Sequence, residues 1–399
     1  MSKKSPAAVA KAIAAHNESV VDNTGGSASH RLRPRRLEDM VGQDAFVRLI
    51  GNALAGPGLH HAYLLVGSKG IGKTTGARLI AAGANCERDP DERPCGECES
   101  CLRIAMLDGG SSLYVQEIDA ASHNSVDDIR ALTDSIAKSY TTHVRVYIID
   151  EAHMLSAQAW NAFLKTLEEP PPNVVIVLAT TEAHKIPATI EDRCHRITMR
   201  RPSLSLIVDV LQRAVEDGSY AITDDALRMI ASNADGSYRR ALKALDATLA
   251  YAGEDGEADV DDVAGALGIT ATDALDRLFD AVVARQPRDA LLAVADITDG
   301  GISGDVLLRQ MEEHARRLLT VAVLGDIPDE MKVSDEVDDA LRARAARTSD
   351  VHVRRTIDEI ARSLAAIRGG STPQTQAERC AIAAATMTPS ERFLAGEPL

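Results

Sequence analysis

Short apolar runs alternate along the chain with stretches in which apolar residues recur every three or four positions, and the pattern changes near Met199. Ahead of it, residues 61–66, 113–118, 144–149 and 174–179 read as strands. The last is a continuous β-branched run of the kind covered on both faces. Between the strands, residues 37–54, 73–84, 126–138 and 157–167 carry helical spacing. The last of these helices is halted by Pro170, Pro171 and Pro172, which have no amide hydrogen to give. Strands alternating with helices predict a parallel sheet in an α/β domain. Beyond Met199 the strand signal stops, and residues 205–216, 224–233 and 239–251 read as helices. An acidic surface loop at 253–259 leads to one more short helix near Gly268, and helices dominate again from about Ala271. No repeat recurs at a fixed period. The expected layout is a disordered tail over 1–30, an α/β domain over 31–200, a helical lid over 201–268 and a third, helical domain over 271–390.

Where the first strand ends, Gly67-Ser68-Lys69-Gly70-Ile71-Gly72-Lys73-Thr74 fits the phosphate-loop pattern G-x-x-x-x-G-K-[ST] between a strand and a helix, the setting it requires. Glycines let backbone amides turn around an anion, and the following helix presents its positive end to it. Lys73 is expected at the β- and γ-phosphates and the Thr74 hydroxyl on Mg²⁺. The third strand delivers Asp150-Glu151-Ala152-His153. Asp150 there suits Mg²⁺ and Glu151 suits polarising a water, whereas the bland alternative is a helix cap. Thr181, in Thr180-Thr181-Glu182 after the fourth strand, is placed to bond the γ-phosphate or the water, or belongs to an ordinary turn. Arg193 is poorly placed for its own loop and could serve a neighbouring subunit, and Arg239 could report the γ-phosphate to the lid. Taken singly, each arginine reads first as a surface ion-pair partner.

Composition adjusts the picture in three places. At 399 residues with 45% apolar and 3% aromatic content, the chain exceeds one core and favours aliphatic helix packing. The net charge of −15 argues against a protein that simply coats nucleic acid, though it leaves room for a local basic lining. Basic residues do concentrate at the start, in Lys3, Lys4, Lys11, Arg31, Arg33, Arg35 and Arg36, while residues 17–29 have the Gly/Ser/Asn content of a tether. No apolar run is long enough to span a membrane and no signal-peptide pattern opens the chain, so the expected compartment is the cytoplasm. Cys86, Cys95, Cys98 and Cys101 are spaced to close a tetrahedral structural zinc site, with free thiols or a redox pair as the alternative. Cys194 and Cys380 are isolated.

Taken together, these elements resemble the gamma/tau ATPase subunits of the bacterial DNA polymerase III clamp loader, a family of AAA+ proteins. The similarity runs over about residues 31–268, through Arg33-Pro34, Val41-Gly42-Gln43, the phosphate loop, the four cysteines, Glu117-Ile118-Asp119-Ala120-Ala121-Ser122 and Asp150-Glu151-Ala152-His153. It continues through Leu164-Lys165-Thr166-Leu167-Glu168-Glu169-Pro170-Pro171 and Ala179-Thr180-Thr181. The resemblance implies an AAA+ α/β domain with a zinc insertion over 86–101, an all-α lid and an all-α oligomerisation collar. It implies ATP hydrolysis within a pentamer that opens a sliding clamp and loads it on primed DNA. By position it makes Arg193 a trans-acting finger, Arg239 the lid sensor, and Val41 and Gly42 neighbours of adenine. Thr75 joins the loop in the nucleotide pocket, and Lys165 becomes a contact to DNA phosphate. The chain departs from the family at Asp192, where a pairing with Arg193 is expected, at Arg240, and at the nearly neutral His123-Asn124-Ser125. Rival functions are a non-hydrolysing scaffold in such a complex, which the intact Lys73, Thr74, Asp150 and Glu151 disfavour, and another AAA+ DNA-remodelling motor, which the zinc insertion disfavours.

Overall fold

Five parallel strands form one sheet in the order β2-β3-β4-β1-β5: β1 (Ala62–Val66), β2 (Val115–Asp119), β3 (Arg145–Asp150), β4 (Val174–Thr180) and β5 (His195–Thr198). The computed structural model describes residues 27–106, 114–137, 143–253, 257–268, 272–328, 331–332 and 335–386. The expected tail therefore lies outside the described residues up to 26, as do Leu113, Lys138 and residues 254–256 of the expected loop. Every residue of β1 and β4 is buried, which explains their unbroken apolar runs.

The side chains of the strands divide by alternation between two cores. Tyr63, Leu65, Ile148 and Val177 face α2 (Asp44–Ala55) and α3 (Lys73–Asn85), which contribute Phe46, Ile50, Leu79 and Ile80. On the other face, Leu64, Tyr147, Ile149, Ile176 and Leu178 pack with Ile129 and Leu132 of α5 (Val126–Ala137) and with Trp160 and Phe163 of α6 (Ala157–Glu168). Each such buried side chain contributes about 1.5–3 kcal/mol, so the sheet is a rigid platform for whatever follows its strands.

Three local expectations need correction. The helix read over 37–54 is broken: Leu37–Asp39 is a 3-10 turn, Gly42 adopts φ +70°, and α2 begins only at Asp44. β5 carries no apolar run, since only Ile197 of its four residues is buried, yet pairing with β1 suffices to hold it. At the end of the expected tail, Ala28–Arg31 forms a short helix, α1. It is held because Ala28 is buried and Arg31 Nε lies 3.3 Å from Asp217 Oδ2.

The remaining helices are α4 (Glu99–Ala105), α7 (Ala188–Glu191), α8 (Leu204–Gly218), α9 (Asp224–Asn233), α10 (Tyr238–Ala252) and α11 (Val260–Leu267), the last capped by left-handed Gly268. They are followed by α12 (Thr272–Val283), α13 (Pro287–Asp299), α14 (Gly304–Leu324), α15 (Asp335–Ala346), α16 (Asp350–Arg368) and α17 (Pro373–Ala385). The described residues fall into two compact units, and the lid expected over 201–268 is divided between them. One unit comprises the residues up to Gly218 with Ala234–Lys243, and the other comprises Ser219–Asn233 with the residues from Ala244 on. In the second unit, Leu278, Phe279, Met311, Leu318, Ile360 and Cys380 share one core. There the buried Arg344 is neutralised by Asp276 at 2.7 Å and Asp280 at 3.2 Å. Among the described residues no helix is long and apolar enough to cross a membrane.

Candidate functional site

The C-terminal ends of β1, β3 and β4 lie side by side, because Val66 is opposite Thr180 and Ile149 is opposite Leu178. Segments that follow these strands are therefore gathered at one edge of the sheet, where α/β proteins place their ligands. The Gly67 amide donates to the Thr180 carbonyl at 3.2 Å, tying the glycine loop to β4. Gly70 and Gly72 have φ of +78° and +109°, conformations that side chains rarely adopt. A Cβ on Gly70 would also lie 2.0 Å from the Ser237 hydroxyl. Directly after the loop, α3 starts at Lys73 with its positive end toward it.

Lys73 is buried, and its Nζ donates to the carbonyls of Gly67 and Ser68, each at 2.9 Å. Burial pulls its pKa below the usual lysine value, against the opposing carboxylates of Glu151 and Asp150. The Thr74 hydroxyl donates to Asp150 Oδ2 at 2.6 Å, while Asp150 Oδ1 accepts the Glu151 amide at 2.9 Å. Glu151 sits at φ +47°, an uncommon region for a residue with a side chain, and its Oε2 accepts from the Thr181 hydroxyl at 3.1 Å. Two hard oxygen donors meet at Thr74 and Asp150, a donor set that suits Mg²⁺.

Val41, residues 69–75, Asp150, Glu151 and Arg239 line one cleft of about 1120 Å³. The Arg239 amide donates to the Gly70 carbonyl at 3.3 Å, and the Tyr238 hydroxyl donates to the Val41 carbonyl at 3.0 Å. Burial, with Asp209 adding to it, pushes Tyr238 up to about 12, so that hydroxyl keeps its proton. Gly42 faces α8, where a Cβ would lie 2.9 Å from Leu206 Cδ1. Arg31, Arg33, Arg35, Arg36, Arg213 and Lys243 also reach the cleft, making it locally basic on an acidic chain.

Of the expected site residues, Gly42 lines a separate, smaller depression beside the cleft, and Arg193 and Lys165 lie away from it. Arg193 follows α7, away from the cleft lining, and its guanidinium binds Glu168 Oε1 at 2.5 Å and the Thr189 carbonyl at 2.5 Å. The pairing with Asp192 expected from the sequence is thus replaced by Glu168, which α6 brings alongside. Lys165 is exposed on α6.

The four clustered cysteines converge in space. Their sulfurs all lie within 4.8 Å of one another, and Cys86 and Cys98 are 3.9 Å apart. A tetrahedral zinc with bonds of about 2.3 Å needs sulfurs about 3.8 Å apart, so the cage fits that ion. The Cys95 amide points at Cys86 Sγ and the Cys98 amide at Cys95 Sγ, at 3.4 and 3.3 Å, as donors toward thiolates should. Burial works against ionisation of Cys95, but hydrogen bonds from the Glu97 and Cys98 amides and with the Cys86 and Cys98 thiols together outweigh it and bring the thiol to about 7. Left-handed Gly96 makes the turn.

The sequence reading missed several groups. His153 packs between Thr180, Glu151 and Glu182. Arg78 of α3 makes a buried two-pronged bond to Glu117 of β2, at 2.9 and 3.1 Å. The contacts of His153 with Thr180 and Glu182, and of Arg78 with Glu117, join segments far apart in the chain, so spacing along the sequence does not show them.

Residues 42–203 match the family model for the DNA polymerase III delta subunit, and residues 258–393 match that for domain III of DNA polymerase III subunits gamma and tau. Bacillus subtilis DNA polymerase III subunit tau is 39% identical over 313 residues, which cover 76% of this chain and 54% of that one. DNA polymerase III subunit gamma of Buchnera aphidicola is 37% identical over 284 residues, covering 71% of this chain and 77% of that one. Against the tau protein, then, the chain spans about half the relative's length. Among solved structures, the Thermotoga maritima RuvB Holliday junction branch migration motor aligns with a TM-score of 0.46 at 19% identity, covering 63% of this chain and 79% of that one.

Proposed function

The chain belongs to the DNA polymerase III gamma and tau subunit family, and from that premise we propose that it is an ATP-hydrolysing motor subunit of a clamp loader. The observation that carries this proposal is the assembly of Lys73, Thr74, Asp150 and Glu151 at one sheet edge, in a basic cleft that Arg239 also lines. ATP is the substrate. Loop amides and Lys73 hold its phosphates, and Val41 and Gly42 flank its base. Thr74 and Asp150 would hold Mg²⁺, which would offset the negative charge of the phosphates. Glu151, oriented by the Thr181 hydroxyl, takes the proton of the attacking water. Arg239 links the bound phosphates to α10. Arg193 completes the site of a neighbouring subunit, and Lys165 contacts DNA phosphate on the exposed face of α6.

The loader so described is a pentamer of motor and partner subunits acting in the cytoplasm. In it the first unit would bind and cut ATP, and the helical second unit would hold the collar together. Zinc in the four-cysteine cage is structural, since four thiolates leave no open position for catalysis. Metal analysis of protein purified without chelator is expected to return about one zinc per chain, and Cys95→Ser to lower that content; protein free of zinc contradicts the assignment.

The functional proposal itself is tested by clamp loading. The full-length chain with its partner subunits should retain a sliding clamp on primed circular DNA only when ATP is present. Equal retention without nucleotide, or none with ATP, overturns the motor.

A further inference from the structure

His153 sits just behind Glu151, with only 7% of its side chain exposed. Its two ring nitrogens have different neighbours. Nε2 lies 3.2 Å from Glu182 Oε1, and Nδ1 lies 3.1 Å from the Thr180 hydroxyl and 3.5 Å from Glu151 Oε2. Glu182 in turn receives Lys185 Nζ at 2.9 Å and has His184 Nε2 at 3.8 Å, so its outer side is paired with the Lys185 ammonium. An ionised carboxylate only accepts, so the proton between Nε2 and Glu182 belongs to the ring. The bond made by one ring nitrogen fixes the role of the other.

The neighbours of Nδ1 agree with that assignment. A proton on Nδ1 would make a charge-assisted bond to Glu151, which shortens to about 2.7–2.9 Å, yet the two atoms stand 3.5 Å apart as two acceptors do. The Thr180 hydroxyl already accepts the Glu182 amide at 3.0 Å, so its own hydrogen is free to point at Nδ1. The ring then donates once, to Glu182, and accepts once, from Thr180. Glu151 is left with one hydroxyl donor, that of Thr181, on Oε2.

We propose that His153 is a positioning residue for Glu151, held by Glu182 as the tautomer protonated on Nε2. In that form it backs the Glu151 carboxylate without bonding it, so the carboxylate stays turned toward the cleft with lone pairs available to a water. With the tautomer reversed, the Nδ1 hydrogen would capture Glu151 and draw it away. The proposal rests on the role given to Glu151 above.

Glu182→Gln tests it, because a glutamine amide can donate to Nε2 and reverse the tautomer, and position 182 is exposed enough to accept the change. Steady-state ATP turnover should be measured for the full-length chain with its partner subunits, clamp and primed DNA, beside Lys73→Ala. Nitrogen NMR of histidine-labelled chain, with the His153 signal identified by its loss in His153→Gln, reads the tautomer directly. The expected result is a kcat lower by about tenfold, the scale on which groups orienting a reactive side chain act. KM for ATP and zinc content should be unchanged, and the His153 proton should move from Nε2 to Nδ1. Turnover within twofold of the unaltered chain, or a fall without a change of tautomer, overturns the proposal while an inactive Lys73→Ala leaves the ATPase assignment standing. If Lys73→Ala turns over normally, the ATPase assignment fails and this proposal with it.

Discussion

Replacing Arg193 with alanine is expected to leave the ATP affinity of the isolated chain unchanged and to cut turnover in the assembled complex by about 10³–10⁵, the contribution of an arginine finger. Arg193 is outside the cleft of its own subunit and bound to Glu168 at 2.5 Å. That pair does not prevent a role in trans. Both side chains are partly exposed, at 33% and 49%, and surface ion pairs of this kind contribute about 0–1 kcal/mol. A rate factor of 10³ corresponds to about 4 kcal/mol of transition-state stabilisation, so a phosphate across the interface outcompetes Glu168. Removing Glu168 should accordingly do little to turnover. Parallel measurement of nucleotide affinity on the isolated chain and of turnover in the complex separates the roles. An equal loss of both would place Arg193 in its own site.

Glu151→Gln should bind ATP within a few-fold of the unaltered chain and turn it over slower by about 10²–10⁴, the usual contribution of a general base. The amide preserves shape and still accepts the Thr181 hydroxyl through its oxygen, but it cannot take a proton. Thr74, Asp150 and Lys73 keep their contacts, so binding is spared. Single-turnover hydrolysis beside equilibrium binding gives both quantities. Undiminished turnover would show that another group activates the water.

Much of this architecture could be read from the amino-acid sequence, for physical reasons that differ by element. The runs leading to Val66, Ile149 and Ala179 are apolar because both sheet faces are covered, so their strands were evident. The phosphate loop and the four cysteines are local in sequence, and local chemistry is legible. β5 was not, because pairing with β1 and one buried isoleucine hold it rather than its own composition. The break at Gly42 was masked by helical spacing on either side of a single left-handed glycine. Arg193 illustrates a different limit. Its adjacent Asp192 was the obvious partner on paper, but α6 delivers Glu168 from 25 residues away. The environment of His153 likewise exists only once β3 and β4 lie side by side.

Equilibrium binding of ATP with Mg²⁺ to the zinc-replete chain, measured beside Lys73→Ala, tests the central claim most directly. Saturable binding by the native chain that Lys73→Ala loses is the predicted result. No affinity for ATP in the native chain, alone or with its partner subunits, would contradict it.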